Sequence, residues 1–193
     1  MESPAKTVEY EQVKKPDFEL IEKNIDHVMA YSHEGFASDQ VGAYYDKLSE
    51  KYELVLRDCV GYADPDMVAK AADNLEDLPK EAEFLDFASG TGLIGDSLKE
   101  KGFSNFTGID ASLGMMGKCA EKGLYKDIKN LYCGAGQLPR EFVGKFDAAV
   151  SAGSFIPDHL PTETFNEMYD SVKVGGYLIF TMRDAYYETL GHK

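Results

Sequence analysis

A glycine-rich turn between a short apolar segment and a helix-forming segment is the feature that most restricts the fold of this chain. Residues 84–98 read FLDFASGTGLIGDSL, in which Gly90, Gly92 and Gly95 complete a G-x-G-x-x-G pattern. Glycine permits a tight strand-to-helix turn and close approach of the backbone to a ligand, and the helix N-terminus presents N–H groups to that ligand. The pattern therefore predicts a site for a dinucleotide or for another adenosine-bearing ligand.

Apolar segments typical of buried strands alternate with helical segments around and after this turn. The predicted strands cover residues 83–87, 105–110, 130–133, 146–152 and 176–182. The predicted helices between them cover residues 93–102, 113–123 and 162–173, the last with Thr162 as its N-cap. Strands that alternate with helices form β-α-β units and a mainly parallel sheet. The sequence therefore predicts the α/β fold class.

Mostly helical residues precede the glycine-rich turn. Apolar and aromatic side chains near helical spacing predict helices over residues 16–31, 39–56 and 66–78. A chain of 193 residues is most often a single domain with a substantial core. We expect residues 1–37 to form an N-terminal tail and helix and residues 38–193 to form the main domain, with the early helices as a cap.

The chain is acidic, with a formal net charge of −14. Such a surface repels phosphate backbones and anionic membranes at long range, which argues against nucleic-acid and membrane partners. The first 15 residues carry no signal-peptide pattern, so we expect a cytoplasmic protein, although a nuclear protein would look the same. No set of His, Cys and carboxylate residues has metal-ligand spacing, and we expect no metal site.

Two acidic residues bear on the ligand that the glycine pattern leaves open. Asp110 ends the second predicted strand, where an acid binds ribose hydroxyls in both classes of ligand. Asp86 lies four residues before Gly90, and its carboxylate would oppose a pyrophosphate. It would favour a ligand with an ammonium or a sulfonium group, and S-adenosylmethionine (SAM) carries both. A dinucleotide domain would also need a substrate domain, for which little chain remains after the fifth strand.

A series of short motifs, spread over residues 38–183, resembles that of class I SAM-dependent methyltransferases. The series is D-x-A-S-G-T-G, G-I-D, F-D-A-A-V-S and K-V-G-G-Y-L-I-F-T, in this order. Further segments, Y-Y-D-K-L-S-E-K-Y, G-I-D-A-S-x-G-M-M and A-E-K-G-L-Y, resemble the Williams–Beuren syndrome region family of methyltransferase-like proteins. The resemblance implies a Rossmann-like sheet of order 3-2-1-4-5, SAM as cofactor with S-adenosylhomocysteine (SAH) as product, and a small-molecule or protein methyl acceptor.

The same resemblance implies a role for individual residues. Asp86 would hold the methionine ammonium, Asp110 both ribose hydroxyls, and Met115 the adenine. The implied cofactor-binding residues are Tyr45, Tyr52, Asp86, Ala88, Gly90, Gly92, Asp110, Ala111, Met115, Ala135, Gly136, Gln137 and Ser151. Plainer structural roles are the alternative: the acids would be turn residues, Met115 would fill the core, and the two tyrosines would pack against the sheet.

Three departures from the family pattern limit what the resemblance implies. Gly134 stands where many relatives carry an Asp that contacts the adenine, so groups of residues 135–137 would read the adenine instead. The [N/D]-P-P-[Y/F] box of enzymes that methylate nucleic-acid bases or protein glutamine is absent after residue 152, where Ser151 and Gly153 would lie near the sulfur. His159 is a candidate base there, with a surface-turn histidine as the alternative.

The third departure is at the C-terminal end of the sequence. Class I methyltransferases continue through a sixth and a seventh strand, and we expect both to be missing here, so that the domain is C-terminally short. Two classes of function remain open from the sequence: an active methyltransferase, and a SAM-fold module that binds a cofactor or a partner without turnover. An NAD-dependent oxidoreductase is the less favoured third.

Overall fold

The computed structural model describes residues 18–23, 40–156 and 159–182, and the structural statements below concern these residues. Its centre is a five-stranded sheet in the order β3-β2-β1-β4-β5, in which all neighbouring strands run parallel. The strands are β1 Glu83–Phe87, β2 Asn105–Asp110, β3 Tyr125–Asn130, β4 Phe146–Phe155 and β5 Val172–Met182. The α/β class and the predicted strand order 3-2-1-4-5 are confirmed. Residues 183–193 lie outside the described part of the chain.

Helices cover the sheet and its carboxyl edge. They are α1 Phe18–Lys23, α2 Val41–Leu48, α3 Asp64–Asp73, α4 Leu93–Glu100, α5 Leu113–Glu121 and α6 Thr164–Ser171, with a π-helical segment Leu54–Cys59 and a 3-10 turn Arg140–Phe142. The helix predicted over residues 16–31 is described only in α1, and the rest of it lies outside the described residues. None of the described helices is long and apolar enough to cross a membrane.

The core consists of two apolar clusters, one on each face of the sheet. Phe84 belongs to the cluster with α3 and α4, whereas its neighbour Leu85 belongs to the cluster with α6, because successive side chains of a strand point to opposite faces. Phe84, Leu85 and Phe87 have no exposed surface. A central parallel strand is buried on both faces, which explains the continuous apolar run that marked β1 in the sequence.

Three predicted helix boundaries were wrong. The helix over residues 39–56 is interrupted after Leu48, where the Ser49 hydroxyl donates to the Asp46 carbonyl at 2.9 Å and competes with the helical ladder. The helix over residues 66–78 ends at Asp73. The last helix begins at Thr164 after Glu163, whose backbone is already helical, so Thr162 is not its N-cap.

Two predicted strands were misplaced. The third strand is Tyr125–Asn130, and the predicted segment 130–133 follows it at the carboxyl edge of the sheet. The strand was missed because its sequence, YKDIKN, is mostly polar, as suits an edge strand with much of its surface exposed. The fifth strand begins at Val172, four residues before the predicted start, and its pairing with β4 shifts register near Phe146.

Candidate functional site

A cavity of about 500 Å³ lies at the carboxyl edge of the sheet. The segments that follow β1, β2, β3 and β4 form its floor and walls, and α2 closes it from outside. Ligands of open parallel sheets bind at this edge, because the loops there converge and the helix N-termini point toward it. The volume falls in the range of cofactor and drug-sized ligand sites.

The turn after β1 has the left-handed backbone that the glycine pattern predicted. Gly90 has φ 55° and Gly92, the N-cap of α4, has φ 84°. Ala88 has φ 56°, and it is the only described residue other than glycine with a positive φ. A left-handed conformation costs an alanine roughly 1–2 kcal/mol, so the turn holds Ala88 against its preference. A side chain on Gly90 would meet no atom within 4 Å, because the cavity lies there.

Asp110 ties this turn to the end of β2. Its Oδ2 accepts from the Gly90 N–H at 2.8 Å, and its Oδ1 accepts from the Ser112 N–H at 2.8 Å. The pKa of Asp110 is raised to about 6, because the effect of burial exceeds the opposite effect of the bonds from Ser112 and Gly90. Each carboxylate oxygen has a second lone pair, so Asp110 retains acceptor capacity toward the cavity that it lines.

Asp86 lies beneath the turn and has no exposed surface. The Tyr125 hydroxyl donates to Asp86 Oδ2 at 2.5 Å and accepts from the Gly95 N–H at 3.0 Å. Burial raises the pKa of Asp86 to about 8, although the bond from Tyr125 lowers it. Asp86 does not belong to the lining of the cavity.

Unpartnered buried oxygens concentrate on the segment from the end of β1 to the turn. Among the described residues, four buried side-chain oxygens have no hydrogen-bond partner: Asp86 Oδ1, Ser89 Oγ, Thr91 Oγ1 and Thr164 Oγ1. Three of the four lie within residues 86–91, and both Ser89 and Thr91 line the cavity. Buried polar groups without partners are costly, so the segment that joins β1 to the turn lowers the stability of the fold beside the cavity.

The loop after β3 is held by a residue that sequence reasoning missed. The Glu167 carboxylate on α6 accepts from the Gly134 N–H and from the Gly136 N–H, both at 2.7 Å. Gly134 and Gly136 have φ of 79° and 68°, so the loop uses left-handed turns that glycine permits. The sequence offered no signal for this role, because the burial of Glu167, which is only 8% exposed, is seen only in the structure.

The helix α2 joins the wall after β2 through Asp46. Asp46 Oδ1 accepts from the Ser112 hydroxyl at 2.6 Å and from the Gly114 N–H at 2.8 Å. Ser112 is the N-cap of α5, and its Oγ accepts from the Met115 N–H at 3.1 Å. The sequence analysis did not assign a role to Asp46. A carboxylate is favourable at a helix N-terminus, here that of α5, because the N–H groups there carry partial positive charge.

Tyr45 and His159 meet across the cavity. Tyr45 lies on α2 and His159 on the segment after β4, and the Tyr45 hydroxyl and His159 Nε2 are 2.9 Å apart. The Tyr45 ring also contacts the rings of Tyr44 and Tyr52 edge-on, with centroids 5.3 and 6.0 Å apart. Burial raises the pKa of Tyr45 above its usual value, so the hydroxyl is neutral over the physiological range.

Most of the residues implied by the resemblance meet at this cavity. Those that line it are Tyr45, Tyr52, Ala88, Gly90, Asp110, Ala111, Met115, Ala135, Gln137 and His159. Those outside the lining are Asp86, Gly92, Gly136 and Ser151. The Ser151 hydroxyl donates to the Phe87 carbonyl at 2.9 Å and joins β4 to β1. No group of three or more His, Cys, Asp or Glu among the described residues is arranged to hold a metal ion.

Comparison with known proteins gives a match to one family model, similarity to one curated protein and several similar folds. Residues 84–176 match a family model described as a methyltransferase domain. The chain is 33% identical over 105 residues to methyltransferase-like protein 27 of Homo sapiens, an alignment that covers 54% of this chain and 42% of that protein. The chain therefore spans less than half the length of this curated relative.

Two solved structures show the same architecture. The DhpI–SAH complex superposes with a TM-score of 0.57 at 18% identity, covering 79% of this chain and 73% of that chain. The [4+2]-cyclase SpnF superposes with a TM-score of 0.55 at 22% identity, covering 71% of this chain and 57% of that chain. At these identities the likeness establishes the fold alone.

Proposed function

We propose that this chain is a class I SAM-dependent methyltransferase, which binds SAM in the cavity and transfers its methyl group to a small-molecule or protein acceptor, since residues 84–176 match a family model described as a methyltransferase domain. We extend the proposed domain to residues 38–193, since α2 and the π-helical segment also contribute cavity residues. Residues 1–37 are then an N-terminal extension of that domain.

The observation that carries this proposal is Asp110, the one carboxylate in the described lining of the cavity, which lies beside the left-handed turn after β1. SAM offers two ribose hydroxyls, which can donate to such a carboxylate, and an ammonium and a sulfonium, which are positive charges that a carboxylate attracts. The chain therefore supplies a polar site whose chemistry fits SAM better than it fits the anionic pyrophosphate of a dinucleotide.

We assign the cofactor roles from this chemistry and from the family resemblance. Asp110 binds the ribose hydroxyls, and Asp86 attracts the methionine ammonium directly or through a water molecule. Ala88, Gly90 and Gly92 form the backbone floor. Ala111 and Met115 pack near the adenine, which groups of Ala135, Gly136 and Gln137 read at the loop that Glu167 holds. Tyr45, Tyr52 and Ser151 belong to the methionine end of the site.

SAM supplies an electrophilic methyl group on a sulfonium, whose sulfur keeps the bonding electron pair when the methyl leaves. The work of the chain is then to align the acceptor with that methyl and to exclude water. The helix α2 helps to exclude water, because it covers the cavity and Asp46 fixes it to the segment after β2. Most of the readable residues therefore bind the cofactor, and few are needed for chemistry.

A SAM-fold module without turnover is the second candidate. The fold leaves this candidate open, because the [4+2]-cyclase SpnF shares it, and the fold by itself therefore does not establish methyl transfer. An NAD-dependent oxidoreductase has less support, since residues 84–176 match a family model described as a methyltransferase domain.

Calorimetric titration of the full chain with SAM, SAH and NAD tests the cofactor assignment. We expect saturable binding of SAM and SAH, and no binding of NAD. Asp110→Ala should weaken SAH binding at least about tenfold, because it removes the carboxylate that faces the ribose and orders the turn. Asp127→Ala, on the exposed side of β3, is the matched control and should bind SAH like the wild type. Binding of NAD alone, or of none of the three, would overturn the proposal.

Transfer of a labelled methyl group from SAM to components of a cell extract separates an enzyme from a binding module. Label that appears with the wild type and is lost with Asp110→Ala supports methyl transfer. Binding of SAM together with no transfer to any extract fraction supports the module without turnover.

A further inference from the structure

One end of the cavity is built from aromatic rings and a histidine. We define the tyrosine end as Tyr45, Tyr52, Tyr62 and His159, all of which line the cavity. The Tyr45 ring packs edge-on against Tyr52 and against His159, with centroids 6.0 and 5.7 Å apart. These contacts fix the orientation of the rings, so the tyrosine end is a preformed surface.

The charges around the cavity favour a cation there. In the described lining, Asp110 is the only carboxylate, and neither Lys nor Arg contributes a side chain. The chain as a whole carries a net charge of −14. An acceptor with a carboxylate or a phosphate would meet no basic partner among these residues, whereas an ammonium would be attracted by the ring faces and by the overall field.

The tyrosine end also limits the size of the acceptor. Gly153 lines the cavity with φ 62°, and a side chain there would collide with the Tyr62 hydroxyl. The Gly153 N–H donates to the Thr181 hydroxyl at 2.8 Å, and that hydroxyl donates to Asp64 at 2.9 Å. Tyr62 therefore packs against a fixed backbone, and a cavity of about 500 Å³ that also holds SAM leaves space for a small acceptor only.

We propose, on the premise that the cavity binds SAM as above, that the methyl acceptor is a small aliphatic amine that binds as its ammonium at the tyrosine end and gives its proton to the Tyr45–His159 pair. An aliphatic nitrogen differs from the planar amines of nucleic-acid bases and glutamine, whose recognition box this sequence lacks. The proposal assigns both a substrate class and a proton acceptor to the site.

The proton balance follows from the contact between the two side chains. The Tyr45 hydroxyl and His159 Nε2 are 2.9 Å apart, so the hydroxyl can donate to the neutral imidazole. The ammonium proton passes to the Tyr45 oxygen as the hydroxyl proton passes to Nε2. The tyrosine ends neutral, the imidazole ends as imidazolium, and the nitrogen retains the lone pair that forms the new N–C bond. Tyr45 need not ionise, which is consistent with its raised pKa.

Binding to the SAH-loaded chain tests the inference without turnover. The probes are benzylamine, benzyl alcohol and benzoate, which share one ring and differ in charge, and the readout is the NMR signal of the histidine rings. His159→Asn assigns the His159 signal. We expect benzylamine to shift that signal and to bind at least about tenfold more tightly than the other two probes. Equal or tighter binding of benzyl alcohol or benzoate would overturn the amine assignment.

Variants at the pair test the proton acceptor separately. Tyr45→Phe keeps the ring and removes the hydroxyl, and we expect it to weaken benzylamine binding to the chain saturated with SAH at least about fivefold while the melting temperature remains near wild type. Tyr169→Phe, an exposed tyrosine on α6, should leave benzylamine binding unchanged. If Tyr45→Phe bound benzylamine with wild-type affinity, Tyr45 would not be part of the proton acceptor. Failure of SAH itself to bind would instead refute the proposed function on which this inference rests.

Discussion

The Tyr125 hydroxyl lies 2.5 Å from Asp86 Oδ2 and joins the edge strand β3 to the central strand β1 across β2. The same hydroxyl accepts from the Gly95 N–H in the first turn of α4, where backbone N–H groups have no partner inside the helix. One phenol oxygen therefore supports both the acid beneath the turn and the helix that follows it.

Loss of this hydroxyl should destabilise the fold measurably. Tyr125→Phe leaves the Gly95 N–H without an acceptor and Asp86 without its donor, both in buried surroundings, so we expect a loss of about 1–3 kcal/mol. Urea unfolding measures it. Tyr169→Phe, at a tyrosine that is 71% exposed, is the matched control and should change little. An unchanged urea midpoint in Tyr125→Phe would show that the phenol oxygen stabilises neither group.

Asp86 should make the stability of the unliganded protein depend on pH. Burial raises its pKa to about 8 in the folded chain, whereas an unfolded aspartate ionises near about 3.9. The folded state therefore binds more protons between these values, and the wild type loses stability as the pH rises from about 4 to about 8. Asp86→Asn removes that loss.

The measurement is the free energy of unfolding of Asp86→Asn relative to wild type at several pH values. Relative to wild type, the free energy of unfolding of Asp86→Asn should rise by at least about 1 kcal/mol between pH 5 and 8.5. Asp147→Asn is the contrasting case: burial raises the pKa of Asp147, but its bonds to Lys173 and Glu83 lower it overall, so its difference should stay flat over that interval. A flat difference for Asp86→Asn would contradict the raised pKa.

Ala88→Gly should stabilise the protein. Ala88 has φ 56°, which glycine adopts without the cost that alanine bears. The glycine gains conformational freedom in the unfolded chain, which offsets part of this relief. We therefore expect the free energy of unfolding to rise by up to about 1 kcal/mol. The same change at Ala120, an exposed position of α5, should cost up to about 1 kcal/mol instead. Thermal unfolding of the two variants should therefore shift in opposite directions, and a destabilised Ala88→Gly would refute the strain.

Glu167→Gln should loosen the loop after β3. The glutamine keeps one acceptor oxygen for the N–H groups of Gly134 and Gly136, each now bound by the carboxylate at 2.7 Å. We expect a loss of about 1–3 kcal/mol, faster hydrogen exchange of both amides and weaker SAH binding. Glu163→Gln on the exposed side of the same turn is the control. Unchanged exchange at both glycines would show that Glu167 does not order the loop.

Local chemistry predicted the fold and part of the site for identifiable reasons. The central strand β1 is continuously apolar because both of its faces are buried, so it was readable, whereas the polar edge strand β3 gave no such signal. Gly90 and Asp110 were readable because their sequence spacing fixes their places at the ends of neighbouring strands.

The partners of these groups were not readable, because they come from distant parts of the chain. Asp46 reaches Ser112 across 66 positions, and Tyr45 reaches His159 across 114. The Asp86–Tyr125 bond is similar, at 39 positions. Such pairings depend on how elements pack in three dimensions and leave no periodic pattern in the sequence.

The approach of α2 to the wall of the cavity leads to a final prediction. Gly42 lies on α2, and a Cβ there would come within 2.8 Å of the Ala111 carbonyl oxygen, which is backbone and cannot turn aside. Gly42→Ala must therefore shift α2 away from the segment after β2, even though alanine favours the helix by about 1 kcal/mol. Gly117→Ala meets nothing within 4 Å on α5 and serves as the matched helical control.

We expect Gly42→Ala to lower SAH affinity at least about tenfold with little loss of helix content, because the covering helix no longer seats against the site. Gly117→Ala should leave SAH affinity unchanged and raise stability by about 0.5–1 kcal/mol. Calorimetry and circular dichroism of the two variants give both quantities. If Gly42→Ala bound SAH as the wild type does, the close contact between α2 and Ala111 would have no part in closing the cavity.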